Sequence, residues 1–130
     1  MGHKFLVRNK KARHDYEILE TFETGIVLKG TEIKSLKEGG ASLQEAYVRV
    51  ISGEVYLIGA TIIAYKFGNI HNHAEQQDRK LLMHKREILR LAASVKEKGL
   101  TLVPLSIYLK RGRAKLEIGL GRGKKLYDKR

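Results

Sequence analysis

A carboxylate stands where a short helix is predicted to begin. Between Gly25 and Leu36, a β-favouring run ends at a glycine, and Thr31 and Glu32 then open a helical pattern. Thr31 has the side-chain oxygen that an N-cap needs, and Glu32 places a negative charge at the positive end of the helix dipole. Because the chain has a net charge of +12, Glu32 has two interpretations: a capping acid only, or an acid that also contacts a ligand.

Histidines and glycines supply the other candidates for chemistry. His71 and His73 lie close together in a polar stretch, but no acid or histidine at a ligand spacing supplies the third and fourth ligands of a metal site. The glycine-rich, basic segment 119–125 lacks the P-loop spacing, because no glycine stands five positions before Gly123 and no hydroxyl residue follows Lys124. With neither a nucleophile–base pair nor paired carboxylates, the sequence predicts a protein that is not an enzyme and needs no metal or cofactor.

The elements that would position these residues follow from hydrophobic periodicity. Strands are predicted at residues 16–22, 25–29, 47–51, 54–58, 61–65, 100–110 and 114–120. Helices are predicted over residues 31–37 and from His84, whose capping box uses Glu87, to residue 98, with a long loop over 67–79. The pattern predicts a mainly β fold: a closed or partly open antiparallel barrel of six to seven strands, of the oligonucleotide-binding type, with two or three peripheral helices.

The excess positive charge lies at the two ends of the chain. Residues 1–13 contain five Lys or Arg and no acid, residues 110–130 contain nine against two acids, and residues 14–109 hold twelve of each. A neutral body with basic ends suits a polyanion such as RNA, DNA or an acidic membrane surface, although basic ends can also simply aid solubility. We favour a nucleic acid, and predict a barrel domain over residues 1–120 and a basic, disordered tail over residues 121–130.

Length and composition indicate where such a domain would work. The 130 residues suit one domain, no apolar run approaches the length of a membrane span, and no signal peptide follows the basic N-terminal residues. The chain has no cysteine, which excludes disulfides and thiolate metal sites. We therefore expect a cytoplasmic protein without a membrane partner.

Four motifs occur in order along the chain. They are Asn9-x-x-Ala12-x-His14-Asp15-Tyr16-x-Ile18, Gly25-Ile26-x-Leu28-x-Gly30-Thr31-Glu32-Ile33-Lys34-Ser35-Leu36, Arg79-Lys80-Leu81-Leu82-Met83-His84-Lys85-x-Glu87-Ile88 and Gly123-Lys124-Lys125-x-Tyr127-Asp128-Lys129-Arg130. From about Phe5 to the last residue, the chain resembles the SmpB family, the SsrA-binding proteins of bacteria. The resemblance implies an oligonucleotide-binding barrel without enzymatic activity. Such a protein binds the tRNA-like domain of tmRNA (SsrA RNA) and delivers it to stalled ribosomes for trans-translation, which tags the nascent peptide and rescues the ribosome.

The resemblance also implies which residues meet which partner. RNA contact is implied for Asn9, Lys11, Arg13, His14, Glu32, Lys34, Leu82, His84, Lys124 and Lys125. Tyr127, Asp128, Lys129 and Arg130 are implied to work in the ribosome, near the small-subunit decoding centre and message channel, as the start of a longer family tail. Tyr127 would stack there on ribosomal RNA. Elongation factor Tu and alanyl-tmRNA are further implied partners, and we expect a monomer.

Under this interpretation Glu32 reads bases. A carboxylate can accept hydrogen bonds from base N–H groups or a ribose hydroxyl, and Lys29 and Lys34 would meet phosphates. Glu32→Ala should then weaken RNA binding while changing the free energy of unfolding by less than about 1 kcal/mol. Leu82 would offer an apolar surface to a base, or would simply pack in the core. Two other functions stay open: a generic ribosome-associated RNA-binding barrel protein, and a metal-dependent RNA-processing enzyme that uses the two histidines.

Overall fold

The computed structural model describes residues 4–67 and 72–124. These ranges contain nine strands and three helices. Along the chain they are β1 (Lys4–Arg8), α1 (Ala12–Asp15), β2 (Tyr16–Ile26), α2 (Gly30–Lys37), β3 (Ala41–Ser42), β4 (Tyr47–Ile51), β5 (Glu54–Ile58), β6 (Thr61–Ile62), β7 (Arg79–Leu82), α3 (Lys85–Lys98), β8 (Thr101–Lys110) and β9 (Arg113–Gly123).

Seven of these strands form one antiparallel sheet. Their order is β1-β8-β9-β2-β7-β5-β4, and β3 and β6 form a separate antiparallel pair. Among the described residues, β1 and β4 are the edges of the larger sheet, so the sheet does not close on itself. The predicted mainly β, antiparallel, barrel-like fold with three helices is therefore confirmed in its partly open form.

The core lies on one face of this sheet because buried side chains alternate with more exposed ones along the strands. Phe22 and Ile26 of β2 are buried, and so are Leu116 and Ile118 of β9. α3 packs against the same core through Leu91, which is fully buried. The opposite, outer face of β2 and β9 carries the less buried residues that alternate with them, such as Glu23 and Lys115.

The start and the end of α3 agree with the predicted signals. Its N-cap is His84, whose backbone N–H donates to Glu87 Oε1 at 3.4 Å, as expected for a capping box. Gly99 follows the last turn in the left-handed conformation that glycine adopts most readily. No helix among the described residues is long and apolar enough to cross a membrane.

The main difference from prediction is that β2 is one long strand instead of two. Gly25 was expected to start a second strand, but it pairs with Lys115 of β9 and with Leu82 of β7 inside a continuous ladder. A Cβ on Gly25 would lie 3.2 Å from the Leu82 Cβ, so the glycine makes room for a close side chain. The glycine marks a close approach between strands, not a break.

Pairing with distant strands accounts for the other differences. β1, β3 and β7 were not predicted, because a short or edge strand carries little alternation and gains its definition from its partners. The strand predicted over residues 61–65 ends at Ile62. β9 continues three residues beyond Leu120, and its final residues pair with the beginning of β2. The first residues assigned to the tail therefore belong to the sheet, and residues 125–130 lie outside the described ranges.

Candidate nucleic-acid interface

Four of the predicted RNA-binding residues gather where β2 begins and β9 ends. Lys11, Arg13 and His14 are exposed on or beside α1. Lys124 joins them, since its Nζ donates to the Arg13 carbonyl at 3.0 Å and its backbone N–H donates to the Asp15 carbonyl at 2.9 Å. We call Lys11, Arg13, His14 and Lys124 the α1 basic cluster. Lys11 and Arg13 are exposed cations and are suited to phosphate contacts.

Asn9 holds this cluster in place. Its Nδ2 donates to the Pro104 carbonyl at 2.9 Å, and its backbone N–H donates to the Leu105 carbonyl at 2.8 Å. Ala12 then buries its methyl group against Val103 and Leu105, in a second small core on the outer face of β8. Half-buried Asn9 is thus a positioning residue for α1, and its implied contact with RNA stays a prediction.

A second group of candidates lies at the far end of β2. Leu82 is 55% exposed and sits over Gly25, and exposed His84 follows it at the start of α3. Leu82, Gly25, Lys115 and Tyr108 are successive cross-strand partners on β7, β2, β9 and β8, so they share the outer face of the sheet. We call these four residues the Leu82 row. It spans three strand spacings, roughly 14 Å.

Glu23 lies beside the Leu82 row and was missed by the sequence analysis. It is two residues before Gly25, and its carboxylate accepts hydrogen bonds from the Tyr108 hydroxyl and, at 3.3 Å, from Lys110 Nζ. The hydrogen bond from Tyr108 lowers the pKa of Glu23, and burial together with Glu23 raises the pKa of Tyr108. A partly exposed, ionised carboxylate is therefore fixed at the Tyr108 end of the Leu82 row. The sequence signal that could have identified Glu23 was the alternation along β2, which places it on the outer face.

Glu32 has the opposite environment. Its side chain is 2% exposed and that of Arg79 is 1% exposed, and Arg79 Nε donates to Glu32 Oε2 at 2.6 Å. The other oxygen, Oε1, accepts the Lys29 backbone N–H at 2.8 Å, and Gln77 Nε2 donates to Oε2 at 3.2 Å. The capping interpretation is confirmed, with Lys29 rather than Thr31 as the N-cap. Both carboxylate oxygens of Glu32 are buried and already accept hydrogen bonds within the protein, and the implied contact of Glu32 with RNA stays a prediction.

Arg79 ties this acid to the loop that precedes β7. Its Nη1 donates to the carbonyls of Ala60 and Gln77 at 3.0 and 3.1 Å, and its Nη2 donates to the carbonyls of Ala74 and Glu75 at 3.4 and 3.2 Å. Every nitrogen of the buried guanidinium therefore has a hydrogen-bond partner, and the partner of Nε is the counter-charge, Glu32. Helix α2, strand β7 and residues 74–77 are held together at this one point.

The ionisation of Glu32 makes the fold sensitive to acid. Burial alone would raise the pKa of Glu32, but the hydrogen bonds from Lys29 and Arg79 and the positive charge of Arg79 outweigh it and lower the pKa below the usual 4.5. Because the pKa of Glu32 is lower in the folded state, its ionised form stabilises the folded state. This contribution to the free energy of unfolding is complete above pH 4.5 and is lost as the pH falls through the folded-state pKa.

We therefore expect the free energy of unfolding to fall below pH 4.5 more steeply in the wild-type chain than in Glu32→Gln. Urea unfolding at a series of pH values from about 7 to about 3 measures this difference. Parallel pH profiles for the two proteins would contradict the assignment of the buried carboxylate as an ionised group.

His73 belongs to the same interior and offers no metal site. Its Nε2 donates to the Ile62 carbonyl at 2.8 Å, and its Nδ1 lies 2.8 Å from the Thr31 hydroxyl. His71 is outside the described ranges. In residues 4–67 and 72–124, no group of three or more histidine or acidic side chains could hold a metal ion. His73 is explained as an anchor between β6 and α2.

The structure thus divides the predicted residues instead of gathering them. Tyr16, next to the α1 basic cluster, and Gly25, in the Leu82 row, stand at opposite ends of β2, roughly 30 Å apart for nine strand steps. Lys34 belongs to neither group as defined, and it is exposed on α2 with its Nζ 5.6 Å from the ring centre of Tyr65. Lys125 and Tyr127 to Arg130 lie outside the described residues, so their contacts stay predictions.

A family model described as "SmpB protein" matches residues 6–130 of the chain. The chain belongs to the SmpB family. The SsrA-binding protein of Protochlamydia amoebophila (strain UWE25) is 62% identical over 128 residues, which cover 98% of this chain and 84% of that protein. The SsrA-binding protein of Chlamydia trachomatis serovar A is 54% identical over 130 residues, which cover 100% of this chain and 86% of that protein.

A solved SmpB chain shares the fold. It is described as "tmRNA-SmpB: a journey to the center of the bacterial ribosome", and it superposes on this chain with a TM-score of 0.75 at 52% sequence identity. The match covers 95% of this chain and 87% of that chain. The family predicted from the four motifs is confirmed.

Proposed function

We propose that this chain binds the tRNA-like domain of tmRNA and delivers it to stalled ribosomes for trans-translation. The observation that carries the proposal is identity of 54–62% to SsrA-binding proteins over nearly the whole chain. The charge distribution supports it, since the neutral body and basic ends suit a polyanion. The chain is proposed to act by binding, without catalysis of its own.

The two surface groups divide the work of binding. The α1 basic cluster offers exposed cations to phosphates, which anchors an RNA without regard to its sequence. The Leu82 row and Glu23 offer an apolar side chain and an ionised acceptor, and these suit an unpaired nucleotide with its base amino and ribose hydroxyl donors. The role that the sequence assigned to Glu32 is thus better matched by Glu23, nine positions earlier and on the outer face of the sheet.

The remaining partners follow from the same proposal. The ribosome would receive the chain near the small-subunit decoding centre and message channel, with Tyr127 to Arg130 as the contacting residues. Elongation factor Tu and alanyl-tmRNA would act alongside it, with the chain as a monomer. Since ribosomes are the proposed destination, the cytoplasm is the proposed location.

A gel-shift competition tests the choice of RNA. A labelled tRNA-like domain of tmRNA is bound to the chain and challenged with unlabelled tRNA-like domain or with bulk tRNA. Preferential displacement by the tRNA-like domain is expected. Equal displacement by bulk tRNA would favour the alternative of a general ribosome-associated RNA-binding protein.

The affinity for this RNA should also depend strongly on salt. If the basic residues of the chain neutralise about six phosphates, the logarithm of the binding constant should fall against the logarithm of salt concentration with a slope of roughly −4 to −5. Binding measured from about 50 to about 300 mM KCl gives this slope. A flat titration would count against phosphate anchoring by the α1 basic cluster.

A further inference from the structure

A cavity of about 470 Å³ opens beside β4, where the larger sheet does not close. It lies between β4, the second half of α3 and the beginning of β8. β4 and β8 are neighbours there, but β4 is hydrogen-bonded to β5 alone among the described strands. The cavity volume is within the roughly 300–1,000 Å³ of ligand-binding clefts. None of its lining residues belongs to the α1 basic cluster or the Leu82 row.

The walls of this cavity are apolar. Val48 and Leu102 are buried, and Val50, Ala92 and Val95 are half-buried. Val50 and Val95 pack against the main core, so these walls are in place before a ligand arrives. An apolar side chain that enters the cavity loses its contact with water, which is the main favourable term in most protein association.

The edge of β4 that borders the cavity offers backbone hydrogen-bonding groups. Ser52 and Gly53, with φ angles of 51° and 80°, form the two-residue turn between β4 and β5. In such a hairpin the two residues that flank the turn bond to each other, and the backbone groups of alternate residues then point away from the partner strand. Because Ile51 flanks the turn, Val48 and Val50 direct their N–H and C=O groups away from β5. An extended peptide can bond to groups of this kind.

Two exposed cations, Arg49 of β4 and Lys96 of α3, also line the cavity. No acid of the described residues lines it, and neither cation forms an ion pair within the described part of the chain. The cavity therefore suits a ligand that carries negative charge beside apolar groups. A second copy of the chain would bring another Arg49 to the same edge, and like charges on paired strands are destabilising.

We propose that this cavity binds an extended, acidic segment of a partner protein, which adds to the edge of β4. The segment bonds through its backbone to Val48 and Val50, places an apolar side chain in the cavity, and pairs a carboxylate with Arg49 or Lys96. An RNA phosphate would meet the two cations but would leave the apolar walls and the strand edge without partners. The inference goes beyond the proposed function, because the ligand is a protein and not an RNA.

Fluorescence anisotropy with three fluorescein-labelled peptides tests the chemistry of the ligand. The probe peptide Asp-Leu-Thr-Leu-Glu should bind at least about tenfold more tightly than two controls. Lys-Leu-Thr-Leu-Lys reverses the charge of the probe, and Asp-Ser-Thr-Ser-Glu removes its apolar side chains. Equal affinities for the three peptides, or no binding of the probe at about 1 mM, would overturn the proposal.

Charge-reversal variants locate the site. Arg49→Glu and Lys96→Glu should each weaken binding of the probe about fivefold or more, and both residues are exposed, so the fold should be retained. Lys98→Glu is the matched control, because it makes the same change in the last turn of α3 at a residue that does not line the cavity. It should leave binding unchanged. An equal loss in Lys98→Glu would mean that net charge alone attracts the probe, and would overturn the proposal.

Amide hydrogen exchange measured by NMR tests the addition to β4. The N–H groups of Val48 and Val50 should exchange more slowly when the probe is bound, and unchanged exchange at both would overturn the proposal. Two other occupants have their own signatures. Displacement of the probe by the tRNA-like domain, with loss of that RNA's binding in Arg49→Glu, would assign the cations to RNA. A wild-type dimer that the probe dissociates would assign the edge to a second copy. Either result would overturn the proposal.

Discussion

Glu32→Ala is expected to lower the free energy of unfolding by about 3–5 kcal/mol, because it leaves the Arg79 guanidinium buried without its counter-charge. Arg79 cannot turn out to solvent without abandoning four backbone carbonyls. A domain of this size has only about 5–15 kcal/mol of total stability, so the variant should be partly unfolded at growth temperature. Urea unfolding monitored by circular dichroism measures the loss.

The matched control is Glu54→Ala. Glu54 also pairs with a cation of β7, but Lys80 Nζ is 3.5 Å away and the two side chains are nearly half exposed, at 46% and 45%. Such an exposed pair contributes about 0–1 kcal/mol. Similar small losses for both variants would show that the buried pair matters no more than the exposed one. At low temperature the Glu32→Ala chain is folded. If it still fails to bind RNA there, Glu32 contacts the RNA.

Glu32 and Glu23 show what sequence alone could and could not decide. The first-turn position of Glu32 was predictable, since helix starts are signalled by neighbouring residues. Its burial was not, because the partner Arg79 is 47 residues away and the guanidinium is fixed by carbonyls of the loop before β7. The excess positive charge suggested an acid in contact with RNA, but the charge balance could not distinguish Glu32 from Glu23.

The strands also separate into those that the sequence could predict and those that it could not. The hairpin of β4 and β5 and the long strands β8 and β9 were predictable, because alternation and turn residues lie within a few positions of one another. β1 and β7 were not, although Leu82 was already a candidate, since only their pairing with β8, β2 and β5 defines them. The separation of the predicted RNA-binding residues into two regions likewise depends on the length of β2 and not on any local motif.

Leu82→Glu should weaken binding of the tRNA-like domain about 30-fold, equivalent to about 2 kcal/mol, while leaving the folded state nearly as stable as wild type. Leu82 is more than half exposed, so its replacement opens no cavity. The substitution removes the apolar contact proposed for an unpaired base and adds a carboxylate to the outer face of the sheet, which would repel phosphate. Filter binding together with thermal unfolding separates the two effects.

Leu19→Glu is the matched comparator, because Leu19 is a leucine of β2 that is 47% exposed and lies six strand positions from Gly25, roughly 20 Å away. It makes the same chemical change near the α1 basic cluster, so it should alter the salt-dependent anchoring but not the base contact. A loss at Leu82 that is several times larger than the loss at Leu19 places base recognition at the Leu82 row. Equal losses would mean that added negative charge alone weakens binding, and a larger loss at Leu19 would move recognition to the beginning of β2.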